Sequence, residues 1–294
     1  MLNFLLMLFW QQFALPQNLT PDITDKTLIL ALAQLSSNAY FDNSNQKNWY
    51  NNSLFNYEYS YGWDVDGLKG HIFKMNTENI IVISVKGTSL SSSKDKESAN
   101  LICSCNCCNS NCTNQCDKEK LQNSLPGMYA SLLIKVYKQV SQLYPGYTVW
   151  FTGHSMGAVV ASIVATQTCN SAVTFSSPGE QLFDDRINLV HRCLQKKSNH
   201  KITIHHFGYY NDPIFTGTCT LCRLVGYHMD SICHHGSKCT FQKPNDNFIE
   251  PEIDIFGSFI LPSHRISFLI NIIEKTNIMP ECIPVTNCTE KCQI

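Results

Sequence analysis

Apolar residues at Leu28, Leu32 and Leu35 recur at helical spacing, which predicts a helix running to about Ala39 with Thr24 or Asp25 as its cap. The stretch from about Phe41 to Tyr61, crowded with Asn, Tyr and Ser, reads as a loop. Two strands follow, Gly70 to Met75 and Ile80 to Val85. The second is a continuous apolar run of the kind found in sheets covered on both faces. From Pro126 to Leu143 the positions Met128, Leu132, Val136, Val140 and Leu143 form a helical stripe that Pro145-Gly146 ends. Tyr147 to Thr152 is a third strand, and the Ala/Val-rich helix beyond it has no polar face, so it must be buried. Ser171 to Phe175 and Lys201 to Phe207 are further strands. Ile266, Leu269, Ile270 and Ile273 form the apolar face of a last helix from about Ser263 to Lys275. Strands alternating with helices predict an α/β fold with a mostly parallel central sheet flanked by helices. No repeat or linker divides the chain, so residues 18–294 are expected to form one domain.

Composition narrows the class. A formal net charge of -1 over 294 residues does not suggest a nucleic-acid binder, which would need a basic face for phosphates. The apolar run from Phe4 to Trp10, with Ala14 after it, is too short to span a bilayer comfortably. Residues 1–17 therefore read as a signal peptide or a short signal anchor. Fifteen cysteines fit an oxidising compartment rather than the cytosol. Asn18, Asn51, Asn111 and Asn287 head Asn-x-Ser/Thr sequons and are candidate glycosylation sites. Six cysteines, from Cys103 to Cys116, fall within the polar stretch from Ser89 to Gln122. That stretch interrupts the α/β alternation as a long insertion.

The candidate chemistry centres on Gly153-His154-Ser155-Met156-Gly157. A run of β-formers precedes it and a small-residue helix follows, which is the strand–turn–helix setting of a nucleophile elbow. A serine hydroxyl needs a base to take its proton and a carboxylate to orient that base, in the chain order Ser, acid, His. Asp212, in a loop stiffened by Pro213 after a strand, is the candidate acid; Asp184, Asp185, Asp230 and Asp254 are the alternatives. His264, alone at the start of the last helix, is the candidate base. His228, His234 and His235 lie in a Cys-punctuated loop over 219–239 and are less suited. The oxyanion of acyl transfer needs N–H donors, and Met156 with Thr88, in Val85-Lys86-Gly87-Thr88, are placed to supply them. A histidine base of ordinary pKa, near 6.5, predicts activity that falls in strongly acidic buffer.

On these residues the chain resembles the class 3 lipases, and within them the fungal vacuolar lipases of autophagy. The motifs that carry the resemblance include SNAYFDN, YGWDVDGLKGHIF, IVISVKGTS, FTGHSMGA, AVTFSSPGEQL, HHFGYYNDPIFTGTC, GYHMDSICHHG and SHRI, in that order from about Ser37 to Ile266. The resemblance implies an α/β-hydrolase fold and a triad of Ser155, Asp212 and His264. It implies ester hydrolysis of membrane phospholipids or triacylglycerols in a vacuolar or endosomal lumen. It also implies that Ser89 to Gln122 is a lid. Ala158 stands where the family usually has a second glycine, and a small side chain is retained there.

The expected partner is a lipid membrane or lipid-droplet surface as substrate, with no obligate protein partner and no cofactor. The spacing Cys219-x2-Cys222 and Cys233-x5-Cys239, with histidines between, has the look of a zinc site, but in an oxidising lumen disulfides are the simpler fate and no metal is expected. The rival functions are a luminal carboxylesterase or protease on the same fold, and a non-catalytic Cys-rich binding protein.

Overall fold

A computed structural model of the chain describes residues 19–88, 92–95, 98, 128–181, 203–219, 222, 232–245, 248–249 and 261–286. Residues 1–17, the sequons at Asn18, Asn111 and Asn287, the cysteines from Cys103 to Cys116 and most of the 89–122 insertion lie outside the described residues.

The central strands of the sheet follow directly from the apolar runs. The strands are β1 (Phe55–Tyr61), β2 (Gly70–Met75), β3 (Ile80–Val85), β4 (Thr148–His154), β5 (Ser171–Phe175), β6 (Ile204–Tyr209), β7 (Ser237–Phe241) and β8 (Cys282–Pro284), ordered across one sheet as they occur in the chain. β3 through β7 are parallel, while β1, β2 and β8 pair antiparallel at the two ends. The continuous run Ile80–Val85 is buried at every position because the sheet is covered on both faces. Alternate residues feed the two cores. Ile81, Ile83, Val149 and Phe151 pack on one side, and Val82, Trp150, Val173 and Phe207 on the other.

Four helices cover these faces: α1 (Lys26–Asn38), α2 (Tyr129–Leu143), α3 (Met156–Thr168) and α4 (Ile266–Lys275). α3 is buried from Met156 to Thr166, as its lack of a polar face requires, and α2 lies over it. On the opposite face α1 packs against α4 and β4. Asp25 caps α1 by accepting from Thr27 N (2.8 Å) and Leu28 N (3.2 Å). Lys26 Nζ donates to the carbonyls of Glu274 (2.8 Å) and Thr276 (2.6 Å), so the start of α1 caps the end of α4.

Several expectations need correction. The predicted loop over 41–61 contains β1. Its sequence FNYEYSY buries only Phe55 fully, because it is an edge strand, and a register shift between Tyr57 and Tyr59 breaks its alternation. β7 and β8 were not anticipated either: SKCTF is short and mixes polar with apolar residues, CIP is only three residues long, and β8 is held to the sheet by the Cys239–Cys282 disulfide. The buried face of α2 is Tyr129, Ala130, Leu133 and Val140, while Leu143 is exposed, because the last turn runs past the core. β4 and β6 each extend two residues beyond the predicted ends, and α4 starts at Ile266 after a 3-10 turn over Pro262–His264. Among the described residues no helix is long and apolar enough to cross a membrane.

Candidate active site

β4 delivers its chain directly into α3, and Ser155 is the single residue between them. Its backbone has φ 57° and ψ −127°, a conformation costly for a residue with a Cβ. The strain is held by Ser155 N donating to Phe175 O (3.0 Å) and by α3 folding back, with Ala158 N donating to Ser155 O (3.0 Å). The flanking glycines allow this turn. A Cβ on Gly153 would sit 2.7 Å from the Gly157 carbonyl oxygen, and one on Gly157 would sit 2.3 Å from Val85 O. Strand and helix can therefore approach only without side chains there.

Asp212 lies three residues beyond β6 and is fully buried. Its carboxylate accepts from Ile214 N (3.0 Å) and Phe215 N (3.4 Å), which fixes the loop that Pro213 stiffens. His264 ends the 3-10 turn before α4, and Ser263 Oγ ties that turn to Asn211 O at 2.9 Å. The structure brings the three together. His264 Nε2 is 2.9 Å from Ser155 Oγ, and His264 Nδ1 is 2.9 Å from Asp212 Oδ2 and 3.1 Å from Oδ1. Because a carboxylate accepts only, Nδ1 carries the imidazole proton and Nε2 faces the serine with its lone pair.

Thr88 ends the Val85–Thr88 turn after β3, and Gly87 in that turn packs close enough to the site that a Cβ there would be 2.5 Å from His154 O. Thr88 Oγ1 is buried without a hydrogen-bond partner among the described residues. Met156 is the first residue of α3, so its N–H is one of the helix's orphan donors. Lys86 Nζ donates to Gly87 O (2.9 Å) and pairs with the buried Asp95 at 3.1 Å; Tyr129 OH donates to the other Asp95 oxygen at 2.7 Å. This clamp fixes the turn from behind. Sequence reasoning missed it, since a Lys and an Asp nine positions apart carry no periodic signal.

A second buried group lies between α3 and β6. The Glu180 carboxylate accepts from Ser162 Oγ on α3 (2.6 Å) and from His235 N (3.3 Å), and it faces His206 Nε2 on β6 at 3.2 Å. His206 is in turn joined to Thr174 Oγ1 at 2.7 Å. His234 places its ring nitrogens 2.8 Å from Ser177 O and 3.0 Å from Ile232 O. His234 and His235, alternatives for the base, thus belong to this cluster. His228, Asp184, Asp185, Asp230 and Asp254 lie outside the described residues. Although burial opposes ionisation of Glu180, the surrounding imidazoles prevail and hold it down to about 2. Burial pushes His234 down to about 4.

Both folded-state values are depressed, so the stability they contribute is present at neutral pH and lost on acidification. The His234 share is lost as pH falls from about 6.5 toward about 4, and the Glu180 share from about 4.5 toward about 2. Thermal unfolding across this range is expected to show a falling midpoint, with Glu180→Gln flattening the section below pH 4.5. A slope unchanged in that variant would show that Glu180 does not control it.

The cysteines bear on metal binding. Cys169, Cys219, Cys222, Cys233, Cys239 and Cys282, all the described ones, are in disulfides, with Cys219–Cys222 and Cys239–Cys282 as two of the pairs. His205 approaches Cys239 and Cys282, but sulfurs bonded to each other offer no thiolate to a metal. Asn51 is exposed, so its sequon is accessible.

The family model described as "Lipase (class 3)" matches residues 82–190, the segment from β3 across the serine turn. A protein of Eremothecium gossypii is 32% identical over 91% of this chain and 54% of its own length; one of Saccharomyces cerevisiae is 34% identical over 77% and 49%. Both bear the name "Putative lipase ATG15". The chain spans about half the length of these curated relatives. A solved lipase from Rhizopus microsporus var. chinensis aligns over 76% of both chains at 16% identity and a TM-score of 0.42. The family model falls on the central strands and the relatives align over most of this chain, so the chain is similar to the class 3 lipases across the segment that carries the serine turn.

Proposed function

We propose that this chain is a serine lipase that hydrolyses ester bonds of membrane phospholipids or triacylglycerols through an acyl-enzyme. The observation that carries this reading is the continuous hydrogen-bonded chain from Asp212 through His264 to Ser155, a serine held in a strained turn. In the proposed reaction Ser155 Oγ attacks the ester carbonyl while His264 Nε2 takes its proton. Asp212 stabilises the imidazolium and keeps it oriented. The carbonyl oxygen becomes an oxyanion, which the Met156 N–H and Thr88 meet; the unpartnered Thr88 hydroxyl is free to add a donor. The tetrahedral intermediate then collapses. His264 passes the proton to the departing alcohol oxygen, leaving the acyl group on Ser155. Water, deprotonated by His264, attacks that ester, and the acid departs with Ser155 restored.

Names of relatives that state a lipase activity support the lipid substrate. The disulfides support an oxidising lumen, and the family resemblance points to the vacuole as that lumen. The test is release of fatty acid from phospholipid vesicles and triacylglycerol emulsions by the purified protein, before and after fluorophosphonate treatment. Release abolished by labelling is the expected result. Cleavage of dispersed esters alone would move the substrate to a carboxylesterase's range, and a protein that neither cleaves nor labels would be a binding module.

A further inference from the structure

The residue before the nucleophile has its own set of bonds. His154 is buried at the end of β4 with both ring nitrogens engaged: Nε2 lies 2.7 Å from the main-chain oxygen of His264, and Nδ1 lies 2.7 Å from Tyr40 OH. A carbonyl oxygen only accepts, so Nε2 must carry the proton. In a neutral ring Nδ1 then accepts, and Tyr40 must donate to it. Burial, together with the facing His264 ring 4.9 Å away, keeps His154 well below the ordinary histidine range. Burial also pushes the Tyr40 hydroxyl up, so the donor keeps its proton. The titratable and charged groups around this pair are therefore His264 on one side, and Lys86 over the Tyr40 ring with Asp95 on the other.

The same Tyr40 oxygen supports the turn that ends in Thr88. A Cβ on Gly87 would stand 2.1 Å from it, so the turn rests directly on the hydroxyl. One path of contacts thus runs from Gly87 to Tyr40, across the His154 ring, to the backbone of the residue whose side chain faces Ser155.

We propose that His154 is a positioning residue: its Nε2–H fixes the main chain of His264, and Tyr40, by donating to Nδ1, keeps the ring proton on Nε2. This rests on the reading of Ser155, His264 and Asp212 as the reacting groups. Asp212 and Ser155 hold the two ends of the imidazole, but neither holds the backbone that carries it. A base displaced by about 1 Å loses about a hundredfold in rate, and the lost hydrogen bond is of the kind that prevents such drift.

The two bonds can be separated. The amide of glutamine reaches toward the Nε2 position and can donate to His264 O; the shorter asparagine places an acceptor near the Nδ1 position, toward Tyr40. The rate constants of His154→Gln, His154→Asn and His154→Phe are to be measured on a soluble ester, per active site counted by fluorophosphonate titration, across pH. Expected are kcat within about threefold of wild type for Gln and about 10- to 100-fold lower for Asn and Phe, with KM little changed. A residue that merely fills space would not separate Gln from Phe in this way. Equal kcat in all three variants, or Gln as impaired as Phe, would overturn the proposal. Where the Asn and Phe variants do not fold, Tyr40→Phe supplies the second test. It frees His154 to exchange tautomers, and kcat is expected to fall about fivefold at constant KM, as partial loss of the Nε2–H bond; an unchanged kcat overturns the proposal. A wild-type protein that neither cleaves nor labels would defeat the hydrolase reading instead, and is read out separately.

Discussion

Ser155→Ala is expected to lower kcat for ester hydrolysis by about 10⁶-fold and to abolish fluorophosphonate labelling, while thermal stability stays near wild type. The size of the effect follows from the site's arrangement. Alanine removes one oxygen, whose bond to His264 Nε2 is the contact through which base and acid act. With it gone, neither His264 nor Asp212 has a nucleophile to serve, and what remains is the contribution of the oxyanion donors and binding. The backbone of position 155 keeps its bonds to Phe175 O and Ala158 N, and alanine suits the same φ no worse than serine does. Fatty-acid release per folded molecule is the measurement. A variant within tenfold of wild type would place the nucleophile elsewhere.

Asp212→Asn is the second large effect, at about 10⁴-fold in kcat, and its cause is a proton in the wrong place. The Asp212 carboxylate accepts from His264 Nδ1, which leaves Nε2 bare toward Ser155. An asparagine amide turned toward the ring donates instead, and its oxygen still accepts from Ile214 N. The imidazole then carries its proton on Nε2 and cannot take another from the serine. Volume and loop geometry are preserved, so the melting temperature should hold while kcat collapses. A decline of less than tenfold would show that Asp212 does not set the tautomer.

The sequence made the central part of this arrangement readable for physical reasons. β3 and β5 are short runs of β-branched, small and aromatic residues between polar flanks, and the sequence marks their ends to the residue. The serine turn was readable because its two glycines are required by close approach of strand and helix, a constraint that survives in the letters. Asp212 and His264, which the structure brings together with Ser155, followed from chain order and loop chemistry. What escaped was whatever depends on tertiary neighbours. β1 and β8 are edge strands, which need no continuous apolar pattern because one side faces solvent. Tyr40, Lys86, Asp95 and Glu180 join segments far apart in sequence, and nothing local distinguishes Glu180 from a surface glutamate until Ser162, His206 and His235 close around it.

The lysine that opens α1 holds the carbonyls that end α4, and these two helices lie side by side on one face of the sheet. A segment near the start of this sequence therefore waits, with part of its apolar surface uncovered, for one more than two hundred residues further along. The histidine facing Ser155 sits at the entrance to that late helix. A ribosome-bound chain that has already formed the serine turn still lacks the imidazole that faces it, and it gains one only when α4 docks and the core closes. On the proposed function, a chain whose fold is incomplete therefore has no base with which to cleave an ester.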